Sequence, residues 1–134
     1  MTGLGDADYR ALASFRHALR VFLRFSEDAA RSEGITPAQH QLLLAVRGHD
    51  AYPQVSISNL AEVLQVRNHS VVGLVGRSDA AGYTTSDADP LDGRRRLVAL
   101  TPKGQRVLER LSDRHRRELR AFREEMGDLL RQLG

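Results

Sequence analysis

The stretch that most constrains this chain runs from Asp89 to Gly104 and reads Asp-Pro-Leu-Asp-Gly-Arg-Arg-Arg-Leu-Val-Ala-Leu-Thr-Pro-Lys-Gly. Asp89-Pro90 and Asp92-Gly93 are turn dipeptides, so a tight loop comes first. Arg94, Arg95 and Arg96 then lead into Leu97-Val98-Ala99-Leu100, a short apolar strand. Thr101 can cap a new helix, with Pro102 at its first position, where a missing N–H costs nothing. The β-prone segment Tyr83-Thr84-Thr85-Ser86 precedes the loop. The expected unit is therefore a hairpin with a loop from Asp87 to Gly93 and a return strand from Arg95 to Leu100.

The chain before this hairpin reads as helices. Over residues 7–33, Leu12, Phe15, Leu19, Phe22 and Leu23 recur at helical spacing, while Val21 and Phe25 fall off that stripe. A helix with more than one apolar face needs more than one partner, so residues 7–33 are expected to pack both within the domain and on a second chain. Gly34 ends the helix. Thr36-Pro37-Ala38-Gln39 is a capping box opening a helix with Leu42, Leu43, Leu44 and Val46 that stops near Gly48. His49 to Gln54 is a polar loop whose Pro53 excludes a continuing helix.

Ser56 can cap a short helix carrying Leu60, Ala61, Val63 and Leu64. A break at Gln65-Val66 leads to Arg67-Asn68-His69-Ser70, and a second helix, apolar at Val71, Leu74 and Val75, ends at Gly82. Two short helices joined by a tight turn form a helix-turn-helix. In that motif the start of the second helix meets base edges in the DNA major groove. Here that end carries Arg67, Asn68, His69 and Ser70, which are hydrogen-bonding types suited to bases and phosphates. An ordinary amphipathic helix also begins with polar residues, so the motif spacing carries the reading. A helix-turn-helix followed directly by a hairpin is a winged helix.

From Thr101 onward the pattern is helical again, and arginines alternate with acidic residues as on a salt-bridged solvent face. The expected fold is mainly α: a winged helix-turn-helix with a small β-hairpin wing, flanked by N- and C-terminal dimerisation helices. Residues 1–134 are read as one domain, with a reader at 35–101 and dimerisation helices at 7–33 and 102–134.

Composition excludes several function classes. Cysteine is absent, which removes disulfides and thiolate metal sites. The formal charge of +3 permits nucleic-acid binding without requiring it. No run of apolar residues is long enough for a transmembrane helix, and the first residues show no signal-peptide pattern, so a cytoplasmic location is expected. His17, His40, His49, His69 and His115 show no metal-ligand spacing, and no nucleophile, paired-carboxylate or phosphate-loop pattern occurs. No metal, cofactor or catalytic residue is expected, and the chain is read as no enzyme.

With these residues in order, the chain resembles the MarR family of bacterial transcription regulators. The resemblance spans about Ile35 to Leu108. It is carried by Asp89-Pro90-Leu91-Asp92-Gly93-Arg94, by Leu100-Thr101-Pro102-Lys103-Gly104, by Ile35-Thr36-Pro37-Ala38-Gln39 and by Ser58-Asn59-Leu60-Ala61-Glu62-Val63-Leu64. It implies a homodimer that binds double-stranded DNA, a repressor on a near-palindromic operator, released by a small aromatic ligand. On the matched positions Arg94 is the wing arginine and Asp92 its ion-pair partner. Arg95 and Arg96 are expected at the DNA backbone and Arg77 at a phosphate. Base contacts are expected from Asn68, His69 and Ser70. Phe15, Leu19, His40 and Leu43 are the expected walls of a ligand pocket.

The chain also departs from the family. Gln65 stands where a glycine is usual, Arg67 where a small N-cap is usual, and Ser78 where a leucine is usual. Tyr83 to Ser86 and Gly93 thin the positive charge at the base of the wing. These departures keep an alternative open, a winged-helix protein-interaction module without DNA binding.

Overall fold

The computed structural model describes residues 3–134. Met1 and Thr2, which open the stretch read for a signal peptide, lie outside the described residues. The elements run α1 (Asp6–Ser32), α2 (Pro37–Gly48), β1 (Val55–Ser56), α3 (Ile57–Leu64), α4 (Asn68–Ala80), β2 (Thr84–Ala88), β3 (Arg96–Leu100) and α5 (Pro102–Leu133). Among the described residues, no helix is long and apolar enough to cross a membrane.

Local chemistry sets most boundaries. Thr36 Oγ1 accepts from the Gln39 N–H at 3.1 Å and Gln39 Oε1 accepts from the Thr36 N–H at 3.0 Å, the reciprocal cap expected from the sequence. Ser56 and Thr101 cap α3 and α5 through the Asn59 and Gly104 N–H groups. Helices α1, α3 and α4 all end in a paired 6→1 and 5→2 hydrogen-bond wrap, seen in Ile35 N–H to Ala30 O, Val66 N–H to Ala61 O and Tyr83 N–H to Ser78 O. Such a wrap needs a left-handed residue. Gly34 and Gly82 supply it at φ 78° and 84°, whereas α3 uses Gln65 at φ 58°. The position where a glycine is usual is therefore a left-handed one, and Gln65 occupies it against its Cβ.

Two cores divide the molecule. Leu42, Val46, Val55, Leu60, Val71, Val75 and Val98 pack among α2, α3, α4 and the sheet. Ala29, Ala30, Ile35, Leu43, Tyr83, Val107, Leu108 and Leu111 fill the space among α1, α2 and α5. Helix α2 feeds both from adjacent positions, and Leu100 packs against both. Helices α1 and α5 run antiparallel. Glu33 meets Arg110 at 2.5 Å, Ser32 meets Arg114 at 2.8 Å and Ser26 meets His115 at 2.8 Å, and the Phe22 and Phe122 rings lie 4.9 Å apart.

Three details differ from the sequence reading. The sheet has three strands in the order β1-β3-β2, all antiparallel, because Val55 and Ser56 pair with Val98 and Leu97. The end of the polar loop is thus a short strand whose Val55 is fully buried, too short to register as a periodic pattern. Strand β2 continues to Ala88, paired with Arg96, so the wing loop spans 89–95 and Arg95 precedes the return strand. Leu44, grouped with the apolar residues of α2, faces outward.

Helix α5 is joined to the reader by a dense seam. The Thr101 N–H donates to Tyr83 O at 3.0 Å, Thr101 Oγ1 donates to Gly82 O at 2.6 Å, and Lys103 Nζ donates to Ala81 O at 2.7 Å. A Cβ at Gly104 would lie 2.1 Å from the Tyr83 carbonyl oxygen, so no larger residue fits there. At Gly76 nothing lies within 4 Å. In urea denaturation, Gly104→Ala is expected to cost about 3 kcal/mol through backbone overlap. Gly76→Ala is expected to gain about 1 kcal/mol from helix propensity.

Candidate nucleic-acid interface

Helices α3 and α4 meet through a three-residue connection, Gln65 to Arg67. Arg67 occupies the N-cap of α4 but its side chain makes no cap hydrogen bond. Asn68 Nδ2 donates to Ser58 Oγ at 3.3 Å, tying the start of α4 to α3. Arg67, Asn68, His69, Ser70 and Arg77 are all exposed. They do not share one face. Asn68 and Val72 line a hollow of about 290 Å³ together with Ser58, Arg94, Arg95 and Arg96. Ser70 and Arg77, two turns apart, border a different groove with Val63 of α3 and Val66 of the connection.

Between these two faces runs an exposed strip made by His69, Val72 and Gly76 at helical spacing, with Gly73 half-buried beside it. Val72 is 56% exposed, and nothing lies within 4 Å of a Cβ at Gly76 one turn on. Sequence periodicity did not single out Val72. Its signal was an apolar residue on the face opposite Val71 and Val75.

The three wing arginines have different surroundings. Asp92 Oδ1 accepts from the Arg94 N–H at 3.1 Å and lies 3.4 Å from Arg94 Nε, so the carboxylate braces both backbone and side chain. The Arg94 side chain is still 94% exposed. Arg95 reaches back to Asp89 at 3.5 Å, and its carbonyl accepts from the Asp89 N–H at 2.8 Å, which closes the loop. Arg96 Nη2 donates to the Ser86 carbonyl at 2.9 Å across the hairpin. An ion pair as exposed as Arg94–Asp92 contributes little to stability, so it holds geometry more than it holds the fold.

A second site lies among α1, α2 and α5. A cavity of about 430 Å³, mostly apolar, is lined by Phe22, Leu23, Ser26, His40, Gln41, Leu44, Ser112, His115, Arg116 and Leu119. Of the residues expected to wall a ligand pocket, only His40 lies on it. Leu43 is fully buried in the adjacent core, and Phe15 and Leu19 sit nearer the N-terminus of α1, outside the lining. Helical periodicity identifies an apolar stripe but not which stretch of it faces a gap, and this one falls at Phe22 to Ser26.

His40 and His115 meet there, with ring centroids 5.0 Å apart. His115 Nδ1 lies 2.6 Å from Leu111 O, and its Nε2 lies 2.8 Å from Ser26 Oγ. A carbonyl can only accept, so Nδ1 carries the proton and Nε2 accepts from the serine hydroxyl. His40 is 2% exposed and its Nδ1 has no hydrogen-bond partner. Burial, reinforced by the neighbouring His115, lowers its pKa to about 4. No sequence spacing joins two residues on separate helices, so their meeting was not readable. Among the described residues, no group of three or more His, Cys, Asp or Glu is placed to hold a metal ion.

No protein-family model matches the chain. A putative transcriptional regulatory protein for the hcr operon of Thauera aromatica is 28% identical over 113 residues, which cover 84% of this chain and 66% of that protein. The transcriptional activatory protein BadR of Rhodopseudomonas palustris is 33% identical over 84 residues, covering 63% of this chain and 48% of BadR. The chain thus spans under two thirds of the one and about half of the other. The crystal structure of the MarR family transcription regulator SP03579 superimposes with a TM-score of 0.75 at 22% identity, covering 87% of this chain and 75% of that one. A MepR mutant from S. aureus bound to an oligodeoxyribonucleotide gives 0.65 at 21% identity, covering 90% and 81%. CouR from Rhodococcus jostii bound to p-coumaroyl-CoA gives 0.66 at 20% identity, covering 81% and 71%.

The buried His40 yields a prediction that needs no partner. Its pKa is about 4 when folded and 6.5 when unfolded, so the unfolded chain takes up the proton first as pH falls. Stability is complete above pH 6.5 and declines toward pH 4, by on the order of 3 kcal/mol per chain. Chemical denaturation across that range should show the decline, and His40→Phe should flatten it.

Proposed function

We propose that this chain, whose fold is that of the MarR family of transcription regulators, is a sequence-specific DNA-binding transcription regulator. It acts as a homodimer on a near-palindromic operator. Residues 1–134 form one unit, with a reader at 35–101 and helices 7–33 and 102–134 joining two copies. The carrying observation is the convergence of Asn68 and Val72 of α4 with Arg94, Arg95 and Arg96 of the wing around one hollow. A helix start rich in donors beside an exposed arginine matches a major groove next to a minor groove.

The roles follow from exposure and partners. Asn68, His69 and Ser70 read base edges, and exposed Val72 suits a thymine methyl. Arg94, braced by Asp92 through its backbone N–H and Nε yet almost fully exposed, enters the minor groove. Arg67, Arg77, Arg95 and Arg96 meet phosphates. Exposed Tyr9, Leu12, Val21 and Leu23 on α1 and Leu119 and Leu130 on α5 give the second copy an apolar surface to cover. The arginine-lined hollow favours a polyanion over a protein partner, so DNA binding is preferred to an interaction module. We read the chain as a binding protein of the cytoplasm and not as an enzyme.

A ligand reading accompanies this one, favoured by the apolar cavity with the unpartnered His40 Nδ1 and with Arg116 at its wall. An aromatic acid would place its ring against Phe22 and His115 and its carboxylate toward Arg116 and His40. Binding there alters the spacing of the two readers only if it favours one arrangement over another.

In fluorescence anisotropy, Arg94→Ala should weaken binding to the chain's own promoter DNA by about 10- to 100-fold, with an unchanged melting temperature. An unchanged Kd would remove the wing from the mechanism. Aryl carboxylates should raise the wild-type melting temperature and release that DNA, and His40→Phe should abolish both effects. A shift retained in His40→Phe would place the ligand elsewhere.

A further inference from the structure

We propose that Asp79 is a positioning residue that locks the wing to the recognition helix, so that Arg94 and α4 reach DNA at a fixed separation. The inference rests on the DNA-binding reading above and adds to it the device that sets the geometry. Asp79 lies in the last turn of α4 and accepts two hydroxyl hydrogen bonds from β2. Thr84 Oγ1 donates to Oδ1 at 2.5 Å and Ser86 Oγ donates to Oδ2 at 2.5 Å. Thr84 and Ser86 are two apart, so both hydroxyls leave the same face of the strand. One carboxylate therefore grips the strand at two points and fixes its rotation as well as its distance.

The grip extends across the hairpin. Ser86 also receives Arg96 Nη2, at its carbonyl at 2.9 Å and its hydroxyl at 3.3 Å. Ser86 thus links α4, β2 and β3 at one residue, and Arg94 lies two residues before Arg96, in the wing loop. From Thr84 to the loop tip the strand spans on the order of 20 Å. A hinge of about 10° at its base would move the tip by roughly 3 Å, as much as a hydrogen-bond length. A wing held only by its two-strand ladder has no other polar tie to α4 near its tip.

The position of Asp79 argues that the grip has a use. A carboxylate in the last turn of a helix opposes the helix dipole. Beside DNA it also opposes the phosphates. An apolar trio at positions 79, 84 and 86 would pack the same elements without either cost, but would not fix the strand's rotation by directed bonds.

The test uses the full-length protein and a duplex selected from a random-sequence library by wild-type protein. Asp79→Ala and Ser86→Ala are each made alone and with Arg94→Ala. Thr84 is 2% exposed, so Asp79→Ala strands its hydroxyl; Ser86 is only partly buried, so Ser86→Ala keeps the test open if the first variant folds poorly. Each single variant should lose about tenfold in affinity for the selected duplex. Binding to random duplex at low salt depends on charge, so it should stay within about twofold for the charge-neutral Ser86→Ala and should not weaken for Asp79→Ala, which removes a negative charge. The further loss on adding Arg94→Ala should shrink to under about threefold, because a wing already out of register has little left to lose. In free protein, amide exchange of residues 84–88 should quicken in both variants.

An Arg94→Ala penalty of full size in the Asp79→Ala and Ser86→Ala backgrounds would overturn the inference and leave the DNA-binding reading standing. Unchanged wing exchange would overturn it as well. Failure of wild-type protein to select any duplex would overturn both.

Discussion

The rest of the structure depends on how closely α5 approaches the end of the reader. The contact of Gly104 with the Tyr83 carbonyl, beside the Thr101 bonds to Gly82 and Tyr83, leaves no room for a side chain. Tyr83 directly precedes β2, and Thr101 directly follows β3. One seam therefore closes the hairpin at its base, follows the end of α4 and starts the long helix that packs on α1. Because these contacts all end on backbone carbonyls, a shift of α5 relative to α4 and the sheet must either break them or carry the wing with it. A signal arriving between α1, α2 and α5 thus has a stiff path to the hairpin.

The electrostatics are economical. Arginines dominate the positive charge, and several along α1 and α5 are paired with acidic neighbours, as Arg31 is with Glu27 and Asp28 and as Arg116 and Arg117 are with Asp113. At the wing, Arg95 and Arg96 are held by Asp89 and Ser86, and Arg94 alone projects almost entirely into solvent. Net charge of +3 is modest. Attraction for a polyanion therefore depends more on where exposed guanidinium groups such as that of Arg94 are presented than on net charge.

Much of this was legible in the sequence because the signals are local. Thr36 with Gln39, Ser56, Thr101 with Pro102, and Gly34 and Gly82 mark helix ends through bonds spanning a few residues, and they fall where the structure ends its helices. The hairpin was legible through its turn dipeptides and apolar return strand. What escaped depends on residues far apart in the chain. Val55 becomes a strand only because Val98 lies beside it. His40 and His115 meet only because α2 and α5 converge, so the cavity turned out to be walled by Phe22 and Ser26 and not by Phe15, Leu19 or Leu43. Asp79 looked like one of many acidic residues until Thr84 and Ser86 turned toward it. Gln65 is an instructive departure, since its left-handed backbone shows why a glycine is usual there, while its Nε2 bond to Glu62 O at 2.7 Å helps it hold the same turn.

The central claim is that two copies present α4 and the wing to adjacent grooves of one duplex. Hydroxyl-radical footprinting of wild-type protein on a duplex it selects tests this most directly, because the cleavage pattern reports minor-groove and backbone access nucleotide by nucleotide. Two symmetric sets of protections, their centres about one helical turn or roughly 34 Å apart, each with a minor-groove patch that disappears in Arg94→Ala, are the expected result. A single unpaired patch, or a minor-groove protection that survives in Arg94→Ala, would contradict it.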